Sequence, residues 1–432
     1  MFSNMPLWPR LILSFALALV VSYLMTPHVK TFAERIGAID IPKDERRVHS
    51  HPIPRMGGLA IFMGFIAAII VFVSFSAQVM GILLGALIIA AMGAVDDIVS
   101  LKASIKLLIQ IVAALVAVRC GVLFSVITNP NLMSYEHTIH MGWMSIPLTI
   151  IWIVGCTNAF NLIDGLDGLA VGVSAISSFT LLLVSLLVSD ANTSFILAAL
   201  CGACIGFMPY NINPARIFMG DVGSQFLGFV LATVSIVGFF KLSALITVLI
   251  PMMAMLLPLA DTTFAFARRI LKGQSPFHAD KGHFHHRLLA MGLTQKQAVA
   301  VLYAFSAVMG LISVIIAGHD RDPIIRVVGV IAIGLIVIVT WMVVVRKYPH
   351  FVVTTVQAHN AAAEAEIAAE EEKIAEFVEQ AEENAKAVAA EELREKLSSL
   401  DVSLAPNEVL NLRIERGKDE KLKVSINKEE QK

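Results

Sequence analysis

A chain of 432 residues that is 57% hydrophobic, only 16% charged and has a mean hydropathy of +0.76 is too apolar for a water-soluble domain of this size. Soluble enzyme folds are thereby excluded, and a formal net charge of −1 supplies no basic surplus for a nucleic-acid partner. The balance is uneven: beyond residue 345 there are 13 Lys+Arg against 19 Asp+Glu, which leaves 20 basic and 15 acidic residues in the first 345. A mildly basic apolar part suits anionic lipid and anionic substrate, and an acidic tail suits solvation.

Apolar stretches able to cross ~30 Å of hydrocarbon lie near 9–27, 57–76, 79–95, 105–127, 145–161, 168–189, 194–212, 223–240, 242–267, 297–317 and 324–345. The expected fold is an all-α polytopic membrane protein of about 11 transmembrane helices. The first stretch lacks a small-residue cleavage site and is expected to be a retained span. Short connections predict helical hairpins for the second and third spans and for the eighth and ninth. The loops 28–56 and 268–296 each carry six Lys+Arg, whereas 128–144 carries none. The positive-inside rule then places the N-terminus outside and the C-terminus in the cytoplasm.

That orientation gathers the polar clusters on one face. In chain order, loop 28–56 ends in Arg55-Met-Gly-Gly58, where glycine amides at a helix start are expected to approach a phosphate. Asp96-Asp97 closes the third span; adjacent carboxylates there repel unless a cation or proton is shared. Lys102 and Lys106 follow, placed either to meet phosphate or to snorkel. Asn158, Asn161, Asp164 and Asp167, interrupted by Gly165 and Gly168, end the fifth span. Ionisable groups at such depth normally face a cavity or a site. Asp221, between Gly220 and Gly223 at the start of the eighth span, is either an N-cap or a hard oxygen ligand for a divalent cation. Asp261 lies inside the ninth span, and His283, His285, His286 and Arg287 follow it. Three histidines in four positions cannot share one helical face, so anion and sugar binding is favoured over zinc. Cys120, Cys156, Cys201 and Cys204 all fall in apolar runs and read as packing thiols, including the Cys201-Gly-Ala-Cys204 pair.

The tail is a separate unit. Residues 360–400 are rich in Ala and Glu, with Ile367, Ile374, Ala381 and Val388 spaced by sevens, a coiled-coil-like helical pattern. Alternation at Leu410, Leu412, Ile414 and at Leu422, Val424, Ile426 predicts a β-hairpin. The expected divisions are 1–348 for a transmembrane catalytic domain, 349–405 for an acidic helical cytoplasmic tail, and 406–432 for the hairpin and a disordered end.

Taken together, Asp96-Asp97, Asn158-Ala-Phe-Asn161 with Asp164-Gly-Leu-Asp-Gly168, Phe218-Met-Gly-Asp221 and His283-Phe-His-His286 resemble the polyprenyl-phosphate N-acetylhexosamine-1-phosphate transferases of glycosyltransferase family 4, over roughly residues 10–345. The His-x-His-His-Arg form looks like the bacterial undecaprenyl-phosphate GlcNAc-1-phosphate transferases. The family's Asp-Asp-x-x-Asp pattern ends here in Ser100, so no third acid is assigned there. The resemblance implies transfer of GlcNAc-1-phosphate from UDP-GlcNAc to undecaprenyl phosphate with release of UMP. It implies Mg²⁺, with Mn²⁺ as a substitute, held by Asn161 and Asp221. Asp96, Asp97, Asp164 and Asp167 are the implied catalytic acids. Arg55, Asn158, Asp261, His283, His285, His286 and Arg287 are the implied substrate-binding groups. Besides both substrates, the expected partners are the lipid bilayer, a protein that binds the tail and a second copy of the chain. The expected location is the bacterial cytoplasmic membrane, with the site on its cytoplasmic face. Two other readings stay open: the same reaction with another UDP-sugar such as UDP-MurNAc-pentapeptide, and a secondary transporter.

Overall fold

The computed structural model describes residues 5–41, 52–124, 126–128, 138–188, 191–238, 244–271, 283–318, 379, 408–416 and 422–430. They fall in two units, Met1–Ala358 and His359–Lys432. The first is helical: α1 (Leu7–Ile36), α2 (Gly58–Phe72), α3 (Ala77–Val99), α4 (Ala103–Arg119), α5 (Ser145–Leu162), α6 (Leu169–Val188), α7 (Ala191–Asn211), α8 (Gly220–Gly238), α9 (Ala244–Ala254), α10 (Leu256–Leu271), α11 (Phe284–Ala290) and α12 (Gln295–Ala317). Two short antiparallel pairs interrupt them, β1 (Ile39–Asp40) with β2 (Ile53–Pro54) and β3 (Val126–Thr128) with β4 (Thr138–His140). Among the described residues seven helices are long and apolar enough to cross a membrane. In hydrocarbon a helix satisfies every backbone group internally, which is why these runs fold this way.

Helix ends follow from local chemistry. The Ser76 hydroxyl accepts the Val79 amide (3.2 Å) and starts α3. Thr294 and Gln297 form a reciprocal capping box at α12. The predicted 242–267 span is instead two helices, because Pro258 has no N–H to donate to the Ala254 carbonyl. That carbonyl accepts the Ser177 hydroxyl of α6 at 2.7 Å.

Helix α8 is the central post. In its 18-residue apolar window 83% is buried, against 28% for α1 and α12. It is wrapped by α2, α3 and α5, while α1 packs on α7 and α2, and α6 on α7 and α12. Both expected hairpins are corrected by this packing. α2 lies chiefly against α1 and α7 and only slightly against α3, and α9 packs against α12. Small residues decide the choice: a Cβ at Gly202 or Gly206 of α7 would strike the Phe15 or Leu19 carbonyl of α1. The Cys201–Cys204 pair lies on the same helix, with Cys201 turned to α6. Both cysteines are buried free thiols, and Cys201 Sγ donates to the Ala175 carbonyl.

In the second unit β5 (Glu408–Arg416) pairs antiparallel with β6 (Leu422–Glu430), setting Leu412 opposite Ile426 and Ile414 opposite Val424. The expected hairpin is therefore present. The expected eleventh span at 324–345, residues 42–51 and, but for Glu379, the heptad-patterned segment 360–400 lie outside the described residues.

Candidate active site

The C-terminal ends of α3, α5 and α7 and the N-terminal end of α8 meet at one end of the helical bundle, and they bring the predicted acids together. Asp221 is the hub. It enters from Gly220, whose φ of +71° is left-handed and favours glycine. A Cβ there would also collide with the Asp97 carboxylate. Asp97 is turned to the start of α8, where its oxygens accept the Asp221 amide (3.0 Å) and the Val222 amide (3.4 Å). A carboxylate on the first amides of a helix is favoured by the unpaired N–H groups and the helix dipole. Asp97 thus holds the backbone of Asp221 in place.

The Asp221 carboxylate accepts from three side chains, Lys106, Asn161 and Gln225. Lys106 Nζ donates to Asp221 Oδ2 at 2.8 Å and to Asp96 Oδ2 at 2.6 Å, so one ammonium sits between two carboxylates. Asn161 Nδ2 donates to Asp221 Oδ1 (3.1 Å) and to Ser224 Oγ (2.8 Å). Gln225 Nε2 donates to Asp221 Oδ2 at 2.7 Å. Asp96 Oδ1 also accepts the Leu101 amide at 2.7 Å. One turn deeper, Asn158 and Gln110 exchange amide hydrogen bonds, and Gln110 continues to Gln225 (2.8 Å). Asn158 therefore belongs to the network beneath the site.

The turn after α5 carries the other two acids, with different surroundings. Asp164 is half-buried; burial first, then the Asp221, Asp97 and Asp167 carboxylates, pushes it up to about 8. Asp167 Oδ2 accepts Asn213 Nδ2 (2.9 Å) and the Ala215 amide (3.0 Å), bracing the α7–α8 connection. Asn211 completes that brace through the Gly168 amide and the Ile217 carbonyl.

The histidine cluster joins the same end. A Cβ on Gly165 would strike the His285 ring, which fixes α11 against the α5–α6 turn. Asp261 is buried and holds the start of α11 at two points, His283 Nδ1 (2.8 Å) and the Phe284 amide (2.7 Å). The His283 and His285 rings stack at 5.8 Å, and His286 tilts on His285 at 4.3 Å. Burial, helped by His286 and opposed by Asp261, pushes His285 down to about 4, so it is a neutral hydrogen-bonding ring at pH 7. Arg287 is exposed on α11.

The glycine amides at α2 do not wait for phosphate. Gly57 N–H donates to the Phe218 carbonyl (2.9 Å) and Gly58 N–H to the Met219 carbonyl (2.8 Å). These glycines let α2 approach α8, since a Cβ at Gly58 would run into the Gly223 backbone. Arg55 is ion-paired with Asp40.

Sequence reading passed over Gln110, Gln225, Ser224, Asn213 and Asp40, and left Lys106 undecided. A glutamine inside an apolar run (Gln110) and one four residues past an acid (Gln225) were the available signals. Among the described residues no three His, Cys, Asp or Glu side chains gather as a metal cage. What the site does present is a carboxylate pair that already holds one cation, flanked by amides.

The description Glycosyl transferase family 4 matches residues 79–239, which contain Asp96, Asp97, Asn158, Asn161, Asp164, Asp167 and Asp221. The chain is 39% identical over 308 residues to the probable undecaprenyl-phosphate N-acetylglucosaminyl 1-phosphate transferase of Bacillus subtilis (strain 168), covering 71% of this chain and 85% of that one. It is 34% identical over 361 residues to the decaprenyl-phosphate N-acetylglucosaminephosphotransferase of Mycolicibacterium smegmatis, covering 77% and 88%. It is 29% identical over 323 residues to a phospho-N-acetylmuramoyl-pentapeptide-transferase of Staphylococcus aureus (strain MSSA476), covering 70% and 98%. With that coverage, and with the acids converging as they do, the chain belongs to glycosyl transferase family 4, among the polyprenyl-phosphate N-acetylhexosamine-1-phosphate transferases.

Proposed function

We propose that this chain transfers GlcNAc-1-phosphate from UDP-GlcNAc to undecaprenyl phosphate. An oxygen of the lipid phosphate bonds to the sugar-linked phosphorus, the bond from that phosphorus to the UMP oxygen breaks, and UMP leaves. The observation that carries this reading is the Asp96–Lys106–Asp221 bridge, in a chain whose relatives are named for this transfer. Two phosphates must meet against mutual repulsion, and the bridge shows that this end of the bundle holds positive charge between its acids.

Mg²⁺ fits the donor set. It is commonly held by one or two carboxylates plus substrate phosphates and water, which agrees with an acid pair and no protein cage. Asp221, with the Asn161 carboxamide beside it, would hold the ion, which would neutralise diphosphate charge and stabilise departing UMP. Asp96, kept by Lys106 and the Leu101 amide, faces the incoming lipid phosphate. Lys106 is then positioned to pass from the acid pair to a phosphate oxygen when substrate arrives. Asp97 and Asp167 act through the backbone they hold. Asp164 in its protonated form offers a hydrogen bond to the nucleotide sugar. The neutral His285 suits a hydroxyl or base, while His286 and Arg287 are better placed for phosphate.

We infer that the site faces the cytoplasm. Arg35, Arg55 and Lys102 flank the same bundle end as the acids, and the basic loops argue for that side. The apolar stretches of the sequence support eleven crossings, and the same rule then sets the N-terminus outside and the C-terminus inside a bacterial cytoplasmic membrane. A transporter would keep its acids near the midplane between related halves; here they gather at one end. The test is incubation of the purified protein with UDP-GlcNAc, undecaprenyl phosphate and Mg²⁺. UMP and a lipid-linked GlcNAc are expected. Turnover of UDP-MurNAc-pentapeptide in place of UDP-GlcNAc would overturn the sugar assignment.

A further inference from the structure

Arg55 has the charge of a substrate ligand, and its place in the fold ties it to Asp40. Its guanidinium is ion-paired with the Asp40 carboxylate, the Asp40 side chain being 11% exposed and that of Arg55 30%. Its own amide donates to the Ala38 carbonyl (2.9 Å), next to the antiparallel pairing of Ile39 with Pro54 and Asp40 with Ile53. The pair therefore closes the neck at which the chain leaves α1 and returns to α2.

That neck continues into the active site. The Phe218 amide donates to the Pro54 carbonyl (2.8 Å), and Gly57 and Gly58 return two bonds to Phe218 and Met219. Residues 53–58 thus form a backbone rail for residues 218–219. Only Gly220 separates that rail from Asp221, whose side chain meets Lys106 and Asn161. Phe218, Met219, Gly220 and Asp221 have no slack: Gly58 abuts Gly223, and Gly220 abuts Asp97.

We propose that Asp40 and Arg55 form a positioning clamp, which sets the register of the 218–221 segment through strand β2 and so places the Asp221 carboxylate. The inference rests on the transferase reading for its kinetic consequence and not for its structural one. Asp40 lies 181 residues before Asp221, and neither clamp residue needs to touch substrate.

The test is a double-mutant cycle of Asp40→Asn, Arg55→Ala and the double variant in the full-length purified protein. Two readouts are taken: UMP release at varied UDP-GlcNAc, and hydrogen–deuterium exchange of the 215–223 segment without substrate. Each single change should lower kcat roughly tenfold with KM altered less than about threefold, the scale expected when a reacting group is displaced by a fraction of an ångström. Exchange in 215–223 should accelerate in both. The double variant should be no worse than either single, because one connection is broken in all three. The clamp is overturned if Arg55→Ala raises KM while Asp40→Asn behaves as the unchanged chain, which would make Arg55 a direct substrate ligand. Additive losses, or unchanged exchange in 215–223, overturn it as well. If the unchanged chain does not turn over UDP-GlcNAc, the transferase reading fails, and the exchange arm still decides the clamp.

Discussion

Asp96, Asp97, Asp164, Asp167 and Asp221 share one end of the bundle, and their surroundings divide the work between them. Asp221 is the acid with the most side-chain donors, Lys106, Asn161 and Gln225. Replacing it by Ala should lower Mg²⁺-dependent turnover at least ~100-fold, checked by UMP release across a Mg²⁺ titration in protein shown to be folded. Normal turnover would remove Asp221 from the metal. Asp164 carries a pH signature. Its folded-state pKa of about 8 lies above the ordinary value of 3.8, so the folded state keeps a proton that the unfolded chain loses. The stability it contributes is complete below 3.8 and is lost as pH rises toward 8. In metal-free protein the melting temperature should therefore fall between pH 5 and 8. Asp164→Asn, which keeps a neutral side chain at every pH, should flatten that fall. An identical slope in the variant would show that Asp164 is ionised throughout.

Among the elements, α2 and α8 meet backbone to backbone. They cross where Gly58 meets Gly223, and the Phe218 and Met219 carbonyls just ahead of α8 accept the first glycine amides of α2. Gly58→Ala puts a methyl group into backbone that has no side chain to move aside. It should destabilise the protein by about 1–3 kcal/mol and reduce turnover along with it, since the helix displaced carries Asp221. A lowered melting temperature in detergent checks the first part. A variant as stable and active as the parent would show that the crossing can open without loss. The break between α9 and α10 serves the site in a related way. It ends one helix at Ala254 and starts another that presents Asp261 to His283.

At the scale of the whole molecule, the acids, the amide network and the histidine cluster all belong to the first unit, Met1–Ala358. The second unit is His359–Lys432. Its composition is that of a solvated arm ending in a hairpin. Deleting 359–432 should leave turnover within about twofold of the full chain, measured with equal amounts of membrane-inserted protein. A larger loss would make the tail part of the catalytic unit.

By itself the sequence determined where helices form, because apolar length and the demand for internal backbone hydrogen bonds are local properties. Ten of the eleven apolar stretches fall on described helices, and the acids, amides and histidines of the family motifs stand out against them. Tertiary structure alone decided what those residues touch. Lys106 and Asp221 are 115 positions apart, Asp97 and Asp221 are 124, and no periodicity connects them. Whether Lys106 snorkels or bridges two acids depends on α4 and α8 both packing beside α3. Whether Gly57 and Gly58 bind phosphate or the Phe218 and Met219 carbonyls ahead of α8 depends on how near α8 comes. Helix packing sets both, through contacts between small residues that hydropathy does not register.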